Sequence, residues 1–84
     1  MIDVYLKTTN KEQMDLILIQ SGLFVEDSGY FYTLNPNEVL IDTIGFLGEG
    51  TDFFVNLRFI QLDEAPELFL EYQMFPETPW RVWA

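Results

Sequence analysis

The sequence predicts an α+β fold, a four-stranded, mainly antiparallel sheet with two helices on one face, of the ferredoxin-like split βαβ type with one short extra strand. Three observations predict it. Apolar and polar residues alternate over residues 2 to 7; a helical stripe, Met14, Ile17 and Leu18, follows; and the order strand, helix, short strand, hairpin, helix, strand runs on with no linker or internal repeat.

Ile2, Val4 and Leu6 alternate with Asp3, Tyr5 and Lys7, the period of two of a half-buried strand. Thr9-Asn10-Lys11-Glu12 reads as a capping box, with the Thr9 hydroxyl taking a free N–H of the first turn and Glu12 reaching back to the cap. The helix then runs from Asn10 to Ser21, and Gly22 stops it because glycine tolerates the left-handed conformation past a helix end. Leu16 and Ile19 fall on its outer side.

Glu26-Asp27-Ser28-Gly29 is a turn, and Tyr30 to Leu34 make a short, peripheral aromatic strand ending at Asn35-Pro36-Asn37. Val39 to Gly45 and Phe53 to Gln61 form a hairpin with a glycine-rich connection. Asp63 is positioned to cap a second helix with Pro66 in its first turn. Its inward stripe is Ala65, Leu68, Phe69 and Tyr72, with Glu64, Glu67 and Glu71 on the far side. Pro76 and Pro79 keep the next stretch extended, and Trp80 to Trp83 form the last strand. Residues 1–84 make one domain.

Composition narrows function. The 84 residues are 49% hydrophobic and 17% aromatic, too apolar for intrinsic disorder, and the longest aliphatic run, Leu16 to Ile19, is far too short to span a bilayer. Four Lys or Arg against fourteen Asp or Glu give a net charge of −10, which argues against nucleic-acid backbones and anionic membranes as partners. The absence of His and Cys removes imidazole and thiolate chemistry and the usual zinc ligands. Residues 1 to 7 lack the basic stretch, apolar core and cleavage site of a signal peptide, so a cytoplasmic location is expected.

The motifs favour plain readings. Gly45, Gly48 and Gly50 match neither the dinucleotide fingerprint nor a phosphate-binding loop followed by Lys-Ser or Lys-Thr. Asp27, Glu49 and Asp52 lack calcium-loop spacing. No catalytic, cofactor-binding or metal-ligating residue is assigned. The row Glu64, Glu67 and Glu71 reads as a solvated helix face, with imitation of nucleic-acid phosphates as the sharper alternative.

Strand parity points to an interface. If the helices cover the face holding Ile2, Val4, Leu6, Val39, Ile41, Phe53, Val55, Leu57, Phe59, Trp80 and Val82, the opposite face carries Tyr5, Leu40, Asp42, Ile44, Phe54, Asn56, Arg58, Ile60, Arg81 and Trp83, with Asp3 and Lys7. Three of the four cations gather there among large apolar side chains. Tryptophan, tyrosine, phenylalanine and arginine are enriched at interface centres. Tyr5, Asp42, Phe54, Asn56, Arg58, Arg81 and Trp83 are therefore expected to form a protein-binding face, with Leu16 and Ile19 as a second contact.

Asp42-Thr43-Ile44-Gly45, Asn56-Leu57-Arg58 and Pro79-Trp80-Arg81-Val82-Trp83-Ala84 resemble stretches of a group of small, functionally uncharacterised proteins of tailed bacteriophages, which begin with a similar strand and end in Arg-Val-Trp-Ala. The resemblance covers most of the chain in order, although the hairpin loop here is shorter. It implies a phage origin, residence in the host cytoplasm or the virion, and a role beside virion or tail components; it implies no catalytic residue. The expected function is a non-enzymatic protein-interaction module without cofactors, binding itself as a homodimer or a virion protein. An acidic nucleic-acid mimic that inhibits a host defence or DNA-binding protein is the alternative.

Overall fold

The computed structural model describes residues 1–47 and 49–75. Its elements are β1 (Ile2–Thr8), α1 (Lys11–Ser21), β2 (Phe24–Asp27), β3 (Tyr30–Thr33), β4 (Val39–Phe46), β5 (Phe53–Phe59), α2 (Glu67–Leu70) and β6 (Gln73–Met74). The fold is α+β. Every pairing in the four-stranded sheet is antiparallel and its order is β4-β5-β1-β6, while β2 and β3 form a separate two-stranded sheet. Since β5 is antiparallel to both neighbours, β1 and β4 run parallel on either side of it.

Alternation in β1 turns Val4 and Leu6 to the layer that also holds Met14, Ile17 and Leu18 of α1 and Phe69 of α2. Val39 of β4 and Phe53, Val55, Leu57 and Phe59 of β5 complete this core, with Ile2 and Ile41 half-buried at its margin. Among the described residues, the parity expected for the helix-covered face is the parity found; Trp80 and Val82 lie outside them. No helix among the described residues is long and apolar enough to cross a membrane.

The first helix is capped one residue later than expected. Asn10 Oδ1, not the Thr9 hydroxyl, accepts from Gln13 N at 2.8 Å, and Gln13 Oε1, not Glu12, accepts from Thr9 N and from Thr9 Oγ1, both at 3.1 Å. Asparagine is the better N-cap, and its extended backbone here leaves the side chain free to turn back on the first turn. Gly22 ends the helix as expected, with φ of 72° and its N–H donating to Ile19 O.

The aromatic strand has a partner that the sequence reading missed. Phe24–Asp27 pairs with Tyr30–Thr33 across a two-residue turn in which Ser28 and Gly29 both have positive φ, 55° and 86°. That geometry matches the twist of a tight hairpin. Phe24 and Phe31 point into the main core, so the hairpin seals the helix side of the sheet.

The second helix is shorter than expected. Asp63 does not cap it; Pro66 occupies the N-cap position, and Asp63 instead pairs with the N-terminal ammonium at 3.2 Å. Ala65 precedes a proline, whose ring disfavours helical backbone at the residue before it, so the helix starts after Pro66. One turn offers one fully inward position. Phe69 takes it, 6.0 Å from the Phe59 ring, whereas Leu68 is exposed. Glu64, Glu67 and Glu71 are exposed, but Glu64 precedes the helix and Glu71 is its C-cap, so they make no continuous helical row.

The expected strand Trp80 to Trp83 lies outside the described residues. The outer edge of β1 carries β6, paired at Tyr5↔Met74 and Leu6↔Gln73.

Candidate functional site

The sheet face opposite the helices is laid out in three cross-strand rows. Asp3 and Leu40 flank Arg58; Tyr5 and Asp42 flank Asn56, with Met74 beyond Tyr5; Lys7 and Gly45 flank Phe54. Residues directly opposite one another in an antiparallel ladder share a face, so the middle row, Met74, Tyr5, Asn56 and Asp42, crosses all four strands. The rows thus bring together Tyr5, Asp42, Phe54, Asn56 and Arg58. Arg81 and Trp83 lie outside the described residues.

The first row is electrostatic. Arg58 Nε donates to Asp3 Oδ1 at 2.6 Å and Nη2 to Oδ2 at 3.0 Å, a two-pronged match of planar groups. The hydrogen bond to Asp3 raises the affinity of Arg58 for its proton further. Burial pushes the neighbouring Tyr5 phenol above its ordinary range, the Asp3 charge pushes the same way, and the Arg58 charge opposes them. At the other end Lys7 lies 3.8 Å from Asp52, both half-exposed, a loose pair.

The centre of the face departs from expectation. Phe54 and Asn56 sit on the anticipated side, yet both are buried rather than open. Asn56 is only 1% exposed, and neither its Oδ1 nor its Nδ2 has a hydrogen-bond partner among the described residues. An apolar residue on the middle strand of a sheet is commonplace. A buried carboxamide with neither group satisfied is rare, because each lost hydrogen bond leaves its desolvation uncompensated.

Leu16 and Ile19 are exposed on the outside of α1, as anticipated. They belong to the helical layer, on the other side of the sheet from Asn56, so the two expected contacts are separate surfaces. The sequence reading missed a third. Val25, Tyr30 and Tyr32 are exposed on the outer face of the β2–β3 hairpin, while their neighbours Phe24 and Phe31 point inward. Tyr30 and Tyr32, with Leu40 and Asp42, border an open groove of about 440 Å³ between β3 and β4. The alternation of residues 30 to 33 carried the signal, but reading it required the β2 partner.

The arrangement offers hydrogen-bonding, charged and aromatic groups. Among the described residues, no three or more His, Cys, Asp or Glu side chains gather where they could hold a metal ion. Comparison of the chain with protein-family models, with curated proteins and with solved structures finds no match.

Proposed function

We propose that this chain is a non-enzymatic, phage-encoded protein-interaction module serving virion or tail assembly, and that it receives a peptide segment on the sheet face centred on Asn56. The unsatisfied carboxamide of Asn56 carries this reading. A primary amide presents one acceptor and one donor side by side, the complement of a backbone peptide group, and it gains a matched pair of hydrogen bonds when an extended segment crosses it. Tyr5 and the Asp3–Arg58 pair beside it supply the aromatic and charged groups typical of interface centres. The phage resemblance of the segments around Asp42, Asn56 and Arg58 supports a virion or tail component as the partner. For the fold, the order β4-β5-β1-β6 supports a ferredoxin-like split βαβ sheet with the β2–β3 hairpin inserted after α1.

Affinity capture from infected cells with the full chain tests the function, with Tyr5→Ala and Arg58→Ala as comparisons. The wild type should retain a virion or tail protein, or further copies of itself. Loss of a central anchor should weaken that association by roughly 30-fold, the equivalent of about 2 kcal/mol. Equal capture by all three proteins overturns this assignment of the surface; selective capture of a host nuclease lost in Glu64, Glu67 and Glu71 variants replaces it with nucleic-acid mimicry.

A further inference from the structure

β4 is the outer strand of the four-stranded sheet, and no strand among the described residues pairs with its outer edge. Ile60 N donates to Glu38 O at 2.9 Å, which continues the β4–β5 register and marks Glu38 and Ile60 as a hydrogen-bonded pair. Such pairs alternate along an antiparallel ladder, so Leu40 and Asp42 turn their backbone groups toward β5, whereas Ile41 and Thr43 turn theirs away from it. In the small sheet Leu34 N donates to Leu23 O at 3.0 Å, and the same alternation turns the backbone groups of Phe31 and Thr33 away from β2. All four of these residues line the groove between β3 and β4. Edge strands are ordinarily blunted by shortness, by Lys or Pro, or by a bulge. β6, at the opposite edge, has only two residues. Residues 39–43 of β4 contain no Lys or Pro, and the bulge comes only after Thr43.

We propose that this edge receives an extended, lysine- or arginine-bearing segment of a partner protein, which adds to β4 as a further strand and lies in the groove against β3. In this mode the backbone groups supply affinity and the flanking side chains supply selectivity. The proposal goes beyond the Asn56 face and does not depend on it, because it rests on the outer edge of β4 and the hairpin beside it.

Charge selects the occupant. Between Lys11 and Arg58 the sequence contains no Lys or Arg, and both walls of the groove fall within that stretch. Asp42 borders the groove, Glu38 adjoins it in sequence, and Glu26 and Asp27 face Phe31 and Tyr30 across the hairpin. Lys7, Lys11 and Arg58 are paired with Asp52, Asp15 and Asp3. A second copy of the chain would bring the same carboxylates and another net charge of −10 to this edge, so repulsion opposes self-pairing. A cationic segment meets complementary charge, and the exposed rings of Tyr30 and Tyr32 add faces on which an ammonium or guanidinium group rests.

Amide hydrogen exchange of the purified full chain, followed by NMR, tests the proposal. Unbound, the Ile41 and Thr43 amides should exchange far faster than those of Leu40 and Asp42. Heptapeptides selected on the full chain from a random library displayed on yeast should be rich in Lys or Arg set among β-branched residues. The best of them, added as a synthetic peptide, should slow exchange at Ile41 and Thr43 by about tenfold or more. Thr43→Pro removes one outward donor and leaves the β5 ladder intact, so it should weaken that peptide by roughly tenfold with native circular dichroism. Thr43→Lys, at the same exposed position, should produce a comparable loss by charge and serves if the proline variant fails to fold. A library that yields no binder, or acidic or proline-rich ones, overturns the proposal, as does binding that leaves Ile41 and Thr43 exchange unchanged or is equal in the folded variants. Slow exchange at both amides in the unbound chain also overturns it: at every concentration it would mean an edge already covered, and rising with concentration it would make a second copy the occupant. Capture through the Asn56 face stands or falls separately from each of these results.

Discussion

Arg58 holds Asp3 across the β1–β5 pair through two hydrogen bonds, Nε to Oδ1 at 2.6 Å and Nη2 to Oδ2 at 3.0 Å. The pair joins the first strand of the sheet to a strand 55 residues later in the chain and fixes their register next to Tyr5. A lysine ammonium is a point charge that cannot reproduce the fork. Arg58→Lys should lower the Tm, and the same change in an Asp3→Asn background should lower it less. A thermal double-mutant cycle with no coupling would show that the fork adds nothing beyond the two side chains taken separately.

Tyr5 supplies a pH dependence. Its phenol is raised above the ordinary 10.0, chiefly by burial, so the folded state holds that proton more tightly than the unfolded chain. The corresponding stability is fully present below the unfolded value and is lost as pH rises through the folded one. Subtracting the 295 nm titration of Tyr5→Phe from that of the wild type should leave one component with a midpoint above 10.0. A midpoint at or below the ordinary value would contradict the burial of this ring edge.

Phe69 and Leu68 are adjacent in a one-turn helix, but Phe69 is wholly buried and Leu68 is exposed. Phe69→Ala removes the ring packed on Phe59 and should lower unfolding free energy by about 3–5 kcal/mol. Leu68→Ala should change it by less than about 1 kcal/mol. Urea unfolding of the two variants provides the measurement, and equal effects would mean that α2 is rotated from the orientation described.

Ser28 holds a left-handed backbone, φ 55°, at the first turn position of the β2–β3 hairpin. Asparagine adopts that conformation more readily, and Asn-Gly is the preferred pair for such a turn. Ser28→Asn should stabilise the protein by about 0.5 kcal/mol, a rise of a few degrees in Tm for a domain of this size. An unchanged or lower Tm would show that the hairpin opens before the rest of the fold, so that its turn does not limit stability.

Strong periodicity made much of the fold legible. β1, α1 and β5 each present an apolar face, β4 does so through Val39 and Ile41, and Val55, Leu57 and Phe59 lie inward as their spacing requires. β2 gave no such signal because, of its four residues, Phe24 alone is buried. The start of α2 was misplaced because Asp63 resembles a cap, whereas the backbone restriction imposed by Pro66 on Ala65 outweighs it. Parity alone put Tyr5, Asp42, Phe54, Asn56 and Arg58 on one side of the sheet. The burial of Phe54 and Asn56 there was not legible, because parity assigns a side of the sheet and says nothing of what lies over that side.

Ile44 has no counterpart in β5. Thr43 pairs with Val55 and Gly45 with Phe54, so β4 contains one residue more than the strand beside it, and Gly45 accommodates the shift with φ of 91°. The extra residue inverts the pleat. Before it, odd-numbered residues of β4 share the side of Leu57 and Phe59; after it, even-numbered Phe46 shares the side of Phe53, where the two rings meet edge to face at 5.0 Å. Length and phase are therefore separate quantities in this hairpin. Excision of Ile44 alone would swing the Phe46 ring through the sheet and leave Phe53 without its aromatic neighbour, although the segment that follows would still be tied to the body by Thr51 Oγ1, which donates to Thr9 O at 2.9 Å.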